Sequence, residues 1–296
     1  MSMYPFIEAE KAGQRSVNRA CAVMKVSRAA YYEWRQQQPS RRAQEDQELS
    51  EKVKVIFDGS RQTYGAPRVH RALSQAGTRC SRKRVARLMS EQNLQGRHRR
   101  RWRRTTVADP EAKLTAEDLI GRHFQPAELD VCWAGDVTYV WTWEGWMYLA
   151  SVIDLASRRV VGWAMADHMR ADLVCDALRM AIKQRRPRPG LIFHSDRGSQ
   201  YTSSKFTRLL TRHGIRQSLS RPRQVWDNAV VESFYSTLKL ELIHRHAWPT
   251  RAQARQAVFE FVEVFYNRLR LHSSLGYVTP AAYETCLASA RRAGAA

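Results

Sequence analysis

The sequence predicts an α/β chain: a mixed five-stranded sheet flanked by helices, preceded by all-α helix-turn-helix units. Three observations predict it. Residues 1–96 carry helical periodicity, with capping residues ahead of the periodic runs. Residues 126–220 switch to runs rich in Val, Ile, Tyr and Trp, joined by short connections. Between the two lies an arginine-rich stretch that cannot form a core.

At 296 residues, with 44% hydrophobic side chains and nine Trp, the chain is long and apolar enough for two or three folded domains. Lys and Arg number 49 against 28 Asp and Glu, a net charge of +21. That excess points to a polyanionic partner, most simply nucleic acid. Cys21, Cys80, Cys132, Cys175 and Cys286 are scattered, with no Cys-x-x-Cys pair. They read as reduced thiols of a cytosolic protein, which sets aside a disulfide scaffold and a zinc finger. The N-terminus lacks a signal-peptide core, and no apolar run approaches the roughly 18 residues of a membrane span. A soluble protein that needs no membrane is expected.

Residues 1–40 form the first helical segment. "VNRACAVMKV" reads as a helix with Val17, Ala20, Val23 and Met24 on one face, and Ser27 suits an N-cap for "RAAYYEWRQQQ". Residues 41–96 form a helix-turn-helix DNA-binding domain. A helix over 41–60 uses Leu49, Val53, Val55 and Ile56. "APRVHRALSQ" places Pro67 at a helix start and stops before Gly77. Ser81 caps "RKRVARLMSEQ", whose apolar face is Val85, Leu88 and Met89. Arg82, Lys83, Arg84 and Arg87 make the N-terminal half of this helix basic, as in a helix presented to a DNA groove.

Residues 97–125 read as a basic linker. "RHRRRWRR" at 97–104 includes Arg99, Arg100, Arg101 and Arg103, an arm for phosphates, with Trp102 free to stack or pack. Residues 126–245 form the α/β core. "DVCWAGDVTYVWTW", "GWMYLASVIDL" and "RRVVGWAMAD" read as an antiparallel meander whose Trp133, Trp141, Trp143, Trp146 and Trp163 fill the sheet faces. A helix over about 170–185, the all-apolar strand "GLIFHS", a helix over about 203–213 and the strand "IRQSLS" follow. A helix over about 228–244 closes the core, with Asp227 as its N-cap. The order β-β-β-α-β-α-β-α is that of an RNase H-like fold. Residues 246–296 add a helical extension: a helix over about 250–267 with Val258, Phe261, Val262 and Phe265 on one face, then an Ala/Arg-rich tail that frays after 287.

Three acids stand out in this frame. Asp136 lies inside "VCWAGDVTYVW", Asp196 closes "LIFHSD" and Glu232 sits near the start of "NAVVESFYSTLKLELI". A lone acid in so apolar a strand is costly unless a metal or hydrogen bonds compensate it. Two carboxylates on adjacent strands and one on a covering helix can hold two Mg²⁺ ions for phosphodiester chemistry, with Mn²⁺ as a substitute. Lys239 lies seven residues after Glu232, on the same helix face, within reach of a phosphate held there. Asp154 reads as the holder of the Ser157/Arg158 turn and His194 as structural. In the loop 221–227, Arg221, Arg223 and Trp226 are candidates for DNA contact and base stacking, with Asn228 beside them.

At these residues a resemblance becomes specific. "YGAPRVHRAL", "SRKRVARLM", "DVTYV", "YLASVIDLASRRVVGW", "HSDRGSQYTS", "WDNAVVESFYSTLKLELI" and "YNRLRLHSSLGYVTP" resemble the second reading frame of insertion sequence family three, DDE transposases related in their core to retroviral integrases. The resemblance spans residues 17–285. It implies an acidic triad at Asp136, Asp196 and Glu232, with Lys239 as the family's basic residue one helical repeat later. It implies 3′-end cleavage at terminal inverted repeats and strand transfer by the freed 3′-OH, by way of a circular intermediate. The implied partners are double-stranded DNA at element ends and target, further copies of the chain in a homodimer or higher multimer on paired ends, and the upstream reading-frame product. The implied setting is the bacterial cytoplasm, at the nucleoid. No zinc module of the His-His-Cys-Cys type precedes the core, so the helix-turn-helix units are expected to hold the ends. No heptad run of zipper length is present, and that element is expected from the upstream frame.

Overall fold

The computed structural model describes residues 3–36, 40–97, 118–121, 125–221 and 228–294. The chain opens with α1 (Tyr4–Ala12), α2 (Val17–Val23) and α3 (Arg28–Arg35) around Ile7, Ala20, Cys21 and Tyr31. The first helix goes beyond the expected pair. Its first turn carries Pro5, a residue suited to that place. Ser27 caps α3 as expected, its Oγ accepting from the Ala30 N–H at 3.1 Å. Val23 does not join the core; it is 71% exposed, because α2 ends there and turns Cys21 inward instead.

Next come α4 (Arg41–Gly59), α5 (Ala66–Gln75) and α6 (Arg82–Glu91). Leu49, Val53 and Phe57 form the buried face of α4, while Val55 points to solvent, two positions away from that i, i+4 line. Ser81 caps α6 by accepting from Arg84 N–H at 3.2 Å, and Val85, Leu88 and Met89 are buried as the periodicity requires.

The sheet comprises β1 (Cys132–Thr142), β2 (Gly145–Asp154), β3 (Val160–Ala166), β4 (Ile192–Ser195) and β5 (Arg216–Leu219), in the order β3-β2-β1-β4-β5. The first three strands form the expected antiparallel meander, and β4 and β5 add in parallel. Helices α7 (Ala171–Arg185) and α8 (Ser204–Arg212) cover one face around Val152, Leu178, Phe193 and Phe206. Helices α9 (Ala229–Glu241) and α10 (Arg251–Phe259) cover the other around Leu149, Phe234 and Val258.

The hairpin of β1 and β2 runs on past the short β4. Its rings therefore do not all fill the sheet faces as expected. Trp133 is buried, whereas Trp141, Trp143 and Trp146 are 54%, 71% and 45% exposed, lying beyond the covering helices. After α10 the backbone loosens into a π-helical stretch, Glu260–Tyr266, which still buries Phe261, Val262 and Phe265. The tail is helical rather than frayed: α11 spans Pro280–Gly294.

One hydrophobic cluster joins Leu49 of α4 to Leu271 beyond α10, so helices α4–α6 dock on the C-terminal extension. Tyr64 fixes the seam. Its hydroxyl donates to the Leu269 carbonyl at 3.1 Å and accepts from the Leu271 N–H at 2.7 Å. Beneath it lies the buried pair Arg270–Glu241, at 2.7 Å. Among the described residues, no helix is long and apolar enough to cross a membrane.

Candidate active site

Asp136 sits in mid-strand on β1, where the sheet changes partners. The parallel pairing of β1 with β4 runs through Ala134 and His194, and β4 ends at Ser195. Continuing that register by two residues sets Asp196 beside Asp136, at the carboxyl end of β4, where ligand-binding groups of such sheets gather. Glu232 approaches from the first turn of α9. The Tyr235 hydroxyl donates to the Asp136 carbonyl at 2.5 Å and to that of Leu149 at 3.2 Å, tying α9 to both central strands. The Asn228 side-chain N–H donates to the Gly135 carbonyl at 3.3 Å. The three acids thus come from β1, the end of β4 and α9, as the sequence predicts.

Their charges act on one another. Burial pushes the Asp136 carboxyl up to about 7; the neighbouring charges of Asp196 and then Glu232 add to this, against the Val137 N–H and Lys239. One Asp136 oxygen accepts from that N–H at 2.7 Å. Asp196 is exposed, and one of its oxygens accepts from Gly198 N–H at 3.0 Å. A side chain at Gly198 would place a Cβ only 3.0 Å from that oxygen, so glycine keeps the carboxylate accessible. Lys239 is half-buried, with its ammonium 4.8 Å from the centre of the Tyr139 ring. Burial lowers its pKa, and Asp136 opposes the shift. Tyr201 and Tyr235 are held well above the usual phenol range by burial.

The donors are of one kind. Carboxylate oxygens surround the site, and the buried Asn228 Oδ1 has no hydrogen-bond partner. Hard oxygen ligands and mutually repelling acids suit a hard divalent cation. Among the described residues, no group of three or more His, Cys, Asp or Glu side chains, these three acids included, is drawn together closely enough to hold a metal ion. Asp154 is not part of this group. Its oxygens accept from Ser157 N–H and Oγ–H at 2.8 and 2.9 Å and from Asp130 N–H at 2.8 Å, which makes it the turn holder expected. His194 is likewise structural, lying between the hydroxyls of Ser218 and Ser220 at 2.9 and 3.2 Å.

The remaining basic candidates fall into three groups. Arg82 and Lys83 on α6 are exposed. Arg84 and Arg87 turn back toward α4, each reaching Asp46 at 2.5 Å. Arg221 lies 3.4 Å from Asp118. Arg99, Arg100, Arg101, Arg103, Arg223 and Trp226 lie outside the described residues, as does Asp227. The N-cap position of α9 is Asn228, whose side chain bonds to β1 and makes no cap. Sequence reasoning missed Tyr235, although its position three residues after Glu232 puts it on the neighbouring part of the same helix face.

Residues 127–224 match the integrase core domain, residues 44–102 an HTH-like domain and residues 213–280 a second integrase core domain family. The insertion element IS600 31 kDa protein of Shigella sonnei is 40% identical over 263 residues, covering 89% of this chain and 96% of its own. Transposase InsF for insertion sequence IS3A of Escherichia coli (strain K12) is 39% identical over 283 residues, covering 95% and 98%. The magnesium complex of the HTLV-2 integrase catalytic core domain, in its dimeric form, aligns at a TM-score of 0.40 and 19% identity, over 52% of this chain and 94% of that one, too distant to bear on the site. Identity of this extent along nearly the whole length of the relatives settles the matter: the chain belongs to the insertion-sequence transposases of the IS3 type, polynucleotidyl transferases with an HTH-like region and an integrase core.

Proposed function

We propose that this chain cuts DNA at the 3′ ends of an insertion element, at its terminal inverted repeats, and transfers each freed 3′-OH to another strand. One observation carries the reading. Asp136, Asp196 and Glu232 reach one place from β1, the end of β4 and α9, closely enough that the latter two raise the pKa of the first.

In this reading Asp136, Asp196 and Glu232 hold divalent cations, two Mg²⁺ with Mn²⁺ as a substitute. When bound, such ions activate an oxygen nucleophile and relieve charge on the leaving oxygen. The chain's own side chains do the rest. Tyr235 and Asn228 brace the backbone of β1 at Asp136 and Gly135, so that Glu232 keeps its bearing on Asp136. Lys239 offers a cation to the phosphate facing the acids. Arg82 and Lys83 present their charges to DNA, while Arg84 and Arg87 set the tilt of α6 through Asp46. The arm with Arg99, Arg100, Arg101 and Arg103 and the loop with Arg221, Arg223, Trp226 and Asn228 add phosphate and base contacts. Residues 41–96 act as the DNA-binding domain, 97–125 as the basic linker, 126–245 as the catalytic core and 246–296 as its extension. Two DNA ends require at least two copies of the chain. The upstream reading-frame product is a further partner, and the setting is the bacterial cytoplasm, at the nucleoid.

Asp196→Ala is the direct test. It removes an exposed carboxylate and leaves the DNA-facing arginines in place. Cleavage of labelled terminal-repeat DNA in Mg²⁺ is expected to fall by at least about a thousandfold, with duplex binding within about twofold of the parent. Undiminished cleavage would sink the assignment.

A further inference from the structure

A second basic site lies on the far side of α9. A pocket of about 880 Å³ opens between α5, α9 and the chain beyond the π-helical stretch. Its chemistry is set by Arg68, Arg97, Arg158, Arg270, His272 and Glu241. Glu241 is committed to Arg270, at 2.7 and 2.9 Å. Arg68 donates through Nε to the Leu271 carbonyl at 3.0 Å. Arg97 and Arg158 form no ion pair with any described residue, so four guanidinium groups face a single carboxylate.

The pocket also holds an unmet polar atom. His272 is only 7% exposed, and its Nε2 has no hydrogen-bond partner. Burial, with Arg270, Arg68 and Arg158, holds this imidazole well below its usual pKa, so the ring is neutral. An anion bound beside it would offset those arginine charges. Two helix starts add to the field. Gly65 and Pro67 at the head of α5 and Ala229 and Val230 at the head of α9 line the pocket, and neither helix has a side-chain cap. Uncapped N–H groups and guanidinium forks are both matched to phosphate oxygens. The α9 residues that line the pocket, among them Val230, Ser233 and Thr237, lie across the helix from Glu232 and Lys239.

We propose that this pocket binds phosphate oxyanions, presented by a DNA backbone at a contact separate from the catalytic acids. The DNA source rests on the function proposed above. The pocket exceeds a single phosphate, and it lies on the helix that carries Glu232, so it can hold a flanking stretch of the same duplex or a second one.

The test uses the full chain carrying Asp196→Ala, so that only binding is read. Anisotropy of a labelled 30-bp duplex is followed against salt, with and without Arg97→Gln plus Arg158→Gln. Each lost phosphate contact is expected to reduce the slope of log K against log salt by about 0.9, hence by nearly two for the pair. Arg97→Gln alone, at the exposed rim, is expected to cost about one and covers the case in which the double variant misfolds, as judged by circular dichroism. Thermal melting with inorganic pyrophosphate separates the sources. A reduced DNA slope supports the site with a DNA backbone as occupant. Stabilisation of the parent but not the variant by pyrophosphate, with an unchanged DNA slope, supports a site for free phosphate compounds. No change in either measurement overturns the pocket. A reduced slope, together with a failure of the parent chain with Asp196 intact to cut or join DNA ends, would remove the catalytic reading and leave this one standing.

Discussion

Asp136 bears the electrostatic cost of the acidic site. Its carboxyl is raised to about 7 from an ordinary 3.8 by loss of solvent around a half-buried group and by the charges of Asp196 and Glu232. A carboxyl raised by folding is bound more tightly to its proton in the native state. Its contribution to stability is therefore fully present below about pH 4 and is lost as pH rises through 7. Without divalent cation, the native chain at pH 8 carries a penalty of up to about 4 kcal/mol. Asp136→Asn is expected to melt higher than the parent at pH 8 in EDTA, the gap closing as pH falls toward 4; a lower-melting variant would contradict this. The buried Arg270–Glu241 pair works the other way. Glu241→Gln strands a guanidinium that is 7% exposed, and a loss of about 3–5 kcal/mol is expected in urea unfolding. A loss under 1 kcal/mol would show that the pocket's water already solvates Arg270. At this scale the positions of the acids on β1, at the end of β4 and on α9 were legible, as was Lys239 on the face of α9 that carries Glu232. Tyr235 was not, nor was the bond from Asn228 to β1, because their partners are carbonyls of a strand more than ninety residues away.

The elements hold the acids in register. Gly162 on β3 lets α7 approach the sheet directly. An added Cβ would lie 2.3 Å from the Ala177 carbonyl oxygen and 2.7 Å from Ala181 nitrogen, both backbone atoms. Gly162→Ala is therefore expected to cost about 1–3 kcal/mol, with a fall of several degrees in Tm. An unchanged Tm would mean that α7 shifts without strain. The strands of the meander could be read from composition because each run is long and bounded by turn residues. The fate of their tryptophans could not, since whether a ring is covered depends on how far β4 and the helices extend beside the hairpin. The same holds for Val55, whose place in an apolar string said nothing about which arc of α4 faces its neighbours. The tail after 287 read as frayed because Ala and Arg make no apolar stripe, yet Ala and Arg are among the strongest helix formers, and α11 continues to Gly294.

On the scale of the whole molecule, helices α4–α6 and the acidic core share one continuous hydrophobic cluster, while α1–α3 pack around a cluster of their own. Tyr64 and Arg68 join α4–α6 to the core across more than 200 residues of sequence, next to the Glu241–Arg270 pair. No local pattern could announce that seam. Under the proposed function, the seam would tie helices that hold DNA to acids that cut it, with the charge of +21 favouring a polyanion. The family was legible in the motifs and a mixed five-stranded sheet in the alternation of runs, whereas the strand order β3-β2-β1-β4-β5 is a finding of the structure. The most direct measurement is strand joining itself. Purified chain, Mg²⁺ and DNA bearing two labelled element ends are incubated, with and without the upstream product, and the products are sequenced across the junction. Transposition predicts junctions formed by the element's own 3′ ends, absent in EDTA and in Asp196→Ala. Nicked or degraded DNA without any junction, under every condition, would contradict it.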